Sequence, residues 1–118
     1  MRIAVVTLAI GDDFLRGADV LFRSLEANGM PKDAARFVIG NKPYSFANMI
    51  HVQPGDCLTL EKLWVFSLDF DRIIYIDADI LCVGDCSYLW SPSLTRETFL
   101  AMSDPAAQMY YGSILSQL

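Results

Sequence analysis

The sequence predicts an α/β domain with a mainly parallel sheet flanked by helices. Two observations carry this. Residues 3 to 39 read as strand, amphipathic helix, strand, and a βαβ unit of that kind implies a parallel pair of strands. Ile73-Ile74-Tyr75-Ile76 is β-branched or aromatic throughout, with no polar alternation. Such a run marks a strand covered on both faces, as in a parallel sheet, and the strand from Arg72 to Ile76 is expected near the sheet centre.

Ile3 to Leu8 is the first strand, apolar on both faces. Ala9-Ile10-Gly11 is a tight turn, after which Asp12 and Asp13 supply the cap and first-turn charge of a helix. Phe14, Ala18, Leu21, Phe22 and Leu25 recur at helical spacing and form one apolar face. Asn28-Gly29 stops the helix, with Pro31 just beyond. Ala35 to Ile39 is a short second strand, ended by Gly40. Asn41 to Gln53 reads as a loop or short irregular helix, and Pro54-Gly55-Asp56 as a turn. A helix over Leu58 to Leu68 puts Leu60, Leu63, Trp64 and Ser67 on one side. After the Arg72–Ile76 strand, Gly84-Asp85 is a turn, Cys86 to Trp90 one helical turn, and Thr98 to Met102 another strand. Ala106 to Leu118 is an apolar tail in which Tyr111 and Leu115, and Ile114 and Leu118, fall one helical turn apart.

With 118 residues and no internal repeat or linker, the chain is read as a single domain spanning 1–118. Hydrophobic residues make up 53%, which excludes disorder and is a high apolar load for so short a chain. That load predicts a homo-oligomer, a closed dimer being the commonest solution. The net charge of −5 argues against nucleic acid or an anionic membrane surface as main partner. No run approaches the roughly 20 apolar residues of a membrane span. Cys57, Cys82 and Cys86 are odd in number and contain no C-x-x-C, so free thiols in a reducing, cytoplasmic setting are expected.

The chemistry concentrates at Asp77-Ala78-Asp79. In an extended chain residues i and i+2 point to the same side, so the two carboxylates converge where the strand ends. Converging carboxylates repel unless a cation joins them. A divalent cation with hard oxygen ligands suits the pair, and a substrate diphosphate completes its shell. The plainer alternative is that one Asp caps a turn and the other faces water. On residue type alone, Lys62 fits a solvated helix face, Phe14 fits the helix core, Leu8 and Ala9 are ordinary strand-end residues, and His51 is a loop or surface residue.

Motifs that follow one another in order give these residues a sharper reading. Thr7-Leu8-Ala9 with Gly11-Asp12, Phe14 and Gly17-Ala18 resembles the opening of glycosyltransferase family 8, the glycogenin and galactosyltransferase group. Leu60-Glu61-Lys62-Leu63-Trp64 resembles its K-L-x-x-W helix. Asp71 to Leu81 is similar, almost position for position, to its D-R-x-x-Y-x-D-A-D-x-L signature, and Ser87-Tyr88-Leu89-Trp90 sits at its x-x-L-F turn. The resemblance implies a Rossmann-like GT-A fold and transfer of a hexose from a UDP-sugar to an unknown acceptor. It also implies Mn²⁺ or Mg²⁺ held by Asp77 and Asp79. Ala78 would lie against the nucleotide through its backbone, and Lys62 would face the diphosphate or the donor sugar. Leu8, Ala9 and Phe14 would line the base pocket, with Phe14 in place of the usual tyrosine, an aromatic face without the hydroxyl.

The pattern also departs from the family. Ala101 to Pro105 is similar to the stretch before an N-x-G-type sequence, but neither that sequence nor the later H-x-x-G-x-x-K follows before Leu118. The expectation is therefore an amino-terminal, GT-A-like nucleotide-sugar-binding part that lacks the acceptor-binding half. The alternative to a working transferase is a truncated fragment or subunit that binds only nucleotide and metal, or that oligomerises.

Overall fold

The computed structural model describes residues 1–45, 47–52, 64–65 and 67–91. Four parallel strands form one sheet: β1 (Ile3–Leu8), β2 (Ala35–Gly40), β3 (Asn48–His51) and β4 (Arg72–Tyr75). Their order is β3-β2-β1-β4, with Val6 opposite Phe37 on one side and Tyr75 on the other. Helix α1 (Asp12–Ala27) links β1 to β2. The βαβ unit and the parallel sheet are as the sequence predicts.

The core lies on both faces of β1, and the side-chain period of two divides it. Ile3, Val5 and Ala9 pack with Ala18, Leu21, Phe22 and Leu25 of α1. Ala4 and Val6 face the other way, into a cluster with Ile39 and Val52 that Ile73, Tyr75, Phe37 and Phe70 adjoin. Phe37 and Phe70 meet edge to face at 5.6 Å, and the Arg2 guanidinium lies 4.6 Å above the Phe70 ring. Arg2 also seats the start of β4: its N–H donates to Asp71 Oδ2 at 2.7 Å, and its carbonyl accepts from Asp71 and Arg72.

Among the described strands β4 is at the edge and β1 is central. The Thr98–Met102 strand that the sequence also predicts lies outside the described residues, so the expected central place of the Arg72–Ile76 strand is not decided by them. Every residue of β4 is half-buried. Ile74 and Ile76 pack on the α1 side, and Ile73 and Tyr75 on the opposite side. An apolar run reports that both faces are covered; it does not report how many strands lie alongside.

β3 falls where the sequence reads as loop. It has only four residues, Asn48-Met49-Ile50-His51, with exposed polar ends, so it offers neither the length nor the alternation of a strand. Its existence comes from register alone: Phe37, Val38, Ile39 and Gly40 pair with it in turn. The loop before it is fastened to α1, with Lys42 Nζ donating to Asp12 Oδ1 and Tyr44 Oη to Asp19 Oδ1, both at 2.8 Å. The Tyr44 hydroxyl is the main cause holding the Asp19 carboxyl below its usual value, against a smaller rise from burial.

Asp12 and Asp13 do supply first-turn charge, but the cap position belongs to Gly11, and no side chain caps the helix. Asp12 is instead the first residue of the helix, and its carboxylate is spent on Lys42. At the other end Gly29 adopts φ 107°, which L side chains resist, and the Met30 N–H reaches back to the Leu25 carbonyl at 3.0 Å. The predicted Leu58–Leu68 helix lies mostly outside the described residues; Trp64, Val65 and Ser67 have 3-10 geometry. The predicted turn at Cys86–Trp90 is a 3-10 turn at Ser87–Trp90. The Thr98–Met102 strand and the Ala106–Leu118 tail lie outside the described residues. No described helix is long and apolar enough to cross a membrane.

Candidate functional site

The carboxyl ends of β1 and β4 lie side by side. The ladder that pairs Val6 with Tyr75 continues one step, with Ile76 N–H donating to the Val6 carbonyl at 3.0 Å. Leu8 is the last residue of β1 and Asp77 is the second after β4, so the parallel register brings them level. Asp77 and Asp79 are exposed there, and Ala78 between them is buried. Ligands of open α/β sheets bind at such strand ends.

Helix α1 runs along the segment that follows β4 and holds it. Gly17 meets the backbone of Ala78 so closely that a Cβ on Gly17 would overlap its carbonyl oxygen. Further along, the Cys82 N–H donates to Ser24 Oγ at 3.0 Å, and Asn28 Nδ2 donates to the Cys82 carbonyl at 3.2 Å. The Cys86 N–H and thiol both donate to the Asn28 carbonyl at 3.0 Å. Arg72 Nη1 donates to the Leu89 carbonyl, closing the far end. Cys82 and Cys86 are free thiols, the second buried; burial, then the hydrogen bond to the Cys82 thiol, pushes Cys86 up to about 11. Cys57 lies outside the described residues.

Of the residues singled out by sequence, the structure brings Leu8, Ala9, Asp77, Ala78 and Asp79 to one end of the sheet, with Phe14 in the first turn of the adjoining helix. Ala9 is fully buried. Phe14 is not part of the helix core: it is 56% exposed while Ala18, Leu21, Phe22 and Leu25 are buried. Its helical spacing is right, but it sits in the first turn, beyond the reach of the sheet. An exposed aromatic beside a strand-end site is a surface that a planar ring can use. Lys62 lies outside the described residues. His51 is exposed at the end of β3, the opposite edge of the sheet from β4.

One contributor was missed. Tyr75 Oη donates to Asp77 Oδ1 at 2.9 Å. Its phenol is raised well above its ordinary value, first by burial, then by the bond to Asp77 and by the charges of Asp77 and Asp79; a backbone hydrogen bond from Leu8 opposes the rise. The hydroxyl thus lies against the Asp77 carboxylate. The signal was present as the i, i+2 spacing of Tyr75 and Asp77, which places both on one side of an extended chain.

Among the described residues no group of three or more His, Cys, Asp or Glu side chains is gathered for a metal ion. The Ile80 N–H donates to the Asp77 carbonyl at 3.2 Å, so the chain turns at Asp77–Ile80 and the convergence expected of an extended segment does not apply. The donor set is a pair of exposed carboxylates, with the Tyr75 phenol on Asp77. Hard oxygen donors of this kind suit a divalent cation.

The sheet and its strand-end loop define an α/β protein with a Rossmann-like core. The family model "Glycosyl transferase family 8" matches residues 53–115, more than half of the chain. The chain belongs to that family. It is also similar to inositol phosphorylceramide glucuronosyltransferase 1 of Arabidopsis thaliana, 31% identical over 111 residues that take in 78% of this chain. The chain spans about a fifth, 21%, of that relative's length. No solved structure matches it.

Proposed function

We propose that this chain forms the donor-binding part of a metal-dependent glycosyltransferase that transfers a hexose from a UDP-sugar. The observation that carries the reading is the placement of Asp77-Ala78-Asp79 beyond the carboxyl end of β4, level with the end of β1 and braced by Gly17 of α1. Asp77 and Asp79 would hold Mn²⁺ or Mg²⁺. When bound, such a cation neutralises diphosphate charge and so eases departure of UDP from the sugar. The buried Ala78 holds the backbone between the two acids, and the half-buried Leu8 and the exposed ring of Phe14 would offer a face to the base, whereas Ala9, fully buried, would only support them from beneath. Lys62 would add a positive charge toward the diphosphate. The acceptor is unassigned, and the name of the plant relative makes a glucuronosyl donor one of the sugars to try.

Calorimetry tests the reading. UDP should bind in the presence of Mn²⁺ and not after chelation. Asp79→Asn removes one negative charge from the shell and should weaken binding about tenfold, which is ~1.4 kcal/mol. UDP affinity that is equal with and without metal would refute it. UDP-glucose, UDP-galactose and UDP-glucuronic acid can then be compared for donor hydrolysis.

Self-association belongs to the same reading. Ile80, Leu81, Val83 and Tyr88 are exposed after the D-x-D, Val83 to 86%. Such surface is commonly covered by a partner, and a homodimer is the simplest arrangement. Sedimentation equilibrium at micromolar concentration should show a species of twice 13.2 kDa. A single 13.2 kDa species would count against association.

A further inference from the structure

We propose that Tyr75 is a positioning residue for Asp77, setting the carboxylate in the orientation that receives the cation. The inference rests on the metal reading above and adds a residue to it. Asp77 is exposed and lies past the end of β4, where the ladder no longer fixes the chain. The terminal torsion of an aspartate is broad, so an exposed carboxylate samples many orientations. Tyr75 narrows that range. Its backbone is registered opposite Val6, and the next N–H is bonded to the Val6 carbonyl. Its ring packs on the cluster of Ala4, Val6, Ile39 and Val52. The hydroxyl thus starts from a fixed point in the core and reaches Asp77 Oδ1 at 2.9 Å.

The geometry separates two jobs within one side chain. The ring contributes to the core, which phenylalanine would do equally well. Only the O–H contributes to Asp77. A donor that merely ties down a surface group would matter little to ion affinity. A donor that orients a metal-binding carboxylate typically matters about 10–100-fold. The role assigned to Tyr75 is exerted through Asp77, the side chain that its hydroxyl contacts.

The test is Mn²⁺ binding to the full chain in the presence of UDP, read from the electron paramagnetic resonance of free Mn²⁺. The parent, Tyr75→Phe, Asp77→Asn and the double variant are compared. Tyr75→Phe, which also takes the hydroxyl from the Leu8 backbone, should keep the circular dichroism of the parent and melt only slightly lower, and its Mn²⁺ Kd should rise about tenfold. In the Asp77→Asn background the same change should alter Kd by less than about twofold, because coupled residues are not additive. An unchanged Kd in Tyr75→Phe overturns the inference. So does an equal loss in the Asp77→Asn background, which would place the effect elsewhere. A Tyr75→Phe chain that does not fold assigns the hydroxyl to the fold and overturns it also. If the parent does not bind Mn²⁺ with UDP present, the metal reading itself falls, and this inference with it.

Discussion

Replacing Phe22 with alanine should cost ~3–5 kcal/mol and leave much of the chain unfolded at physiological temperature. Phe22 is 1% exposed and is among the largest fully buried side chains. It sits in the layer between α1 and the sheet, with Val5, Leu21, Leu25 and Val38 in the same cluster. β1 and β2 are hydrogen-bonded to each other, but α1 is joined to them chiefly through this layer. Truncation removes the ring from that layer and leaves a cavity that the sheet cannot close. Domains of this size hold only about 5–15 kcal/mol in all, so the loss is a large share. The melting temperature should fall by roughly 10–30 °C. Val20 is on the same helix but 51% exposed, so Val20→Ala should stay within about 0.5 kcal/mol of the parent. Thermal melts of the two variants check the prediction; similar losses for both would mean that α1 is not seated as described.

Gly17→Ala should impair the site more than the fold. At an exposed helix position this change is stabilising by about 1 kcal/mol, through propensity. At Gly17 the new methyl would overlap the carbonyl oxygen of Ala78, which is backbone and cannot swing aside as a flexible side chain does. Relief requires α1 and the Asp77–Asp79 segment to move apart. Overpacking of this kind costs about 1–3 kcal/mol, enough to cancel the propensity gain and reverse the sign. The larger effect falls on geometry. A displacement near 1 Å at a positioned site can cost about a hundredfold in rate, and Mn²⁺-dependent UDP binding should weaken alongside it. Calorimetry with UDP and Mn²⁺, beside a melting curve, measures both effects. A variant more stable than the parent with unaltered UDP binding would show that the contact between α1 and Ala78 does not matter to the site.

Much of this molecule was legible in its sequence because its strongest features are local and periodic. Ile3 to Leu8 is apolar on both faces, and that alone made it a covered strand. Ala18, Leu21, Phe22 and Leu25 follow the helical repeat, and their burial follows from it. The D-R-x-x-Y-x-D-A-D-x-L run carried the family and put Asp77 just past a strand, but it did not set the relation of the two acids: the Ile80 N–H donates to the Asp77 carbonyl, so the chain turns there instead of staying extended. What sequence could not decide depends on neighbours distant in the chain. The edge place of β4 among the described strands is a matter of hydrogen bonding alongside, which side-chain polarity does not record. β3 exists because β2 offers it a ladder, not because Asn48 to His51 prefer to be extended. Phe14 shares the repeat of its buried neighbours, yet the helix carries it past the sheet, so periodicity without position misread it. The closeness of Gly17 to Ala78 and the reach of Tyr75 to Asp77 are distances between side chains and backbone. Residue types announce the chemistry available to a chain; only tertiary packing decides which groups stand within hydrogen-bonding distance of one another.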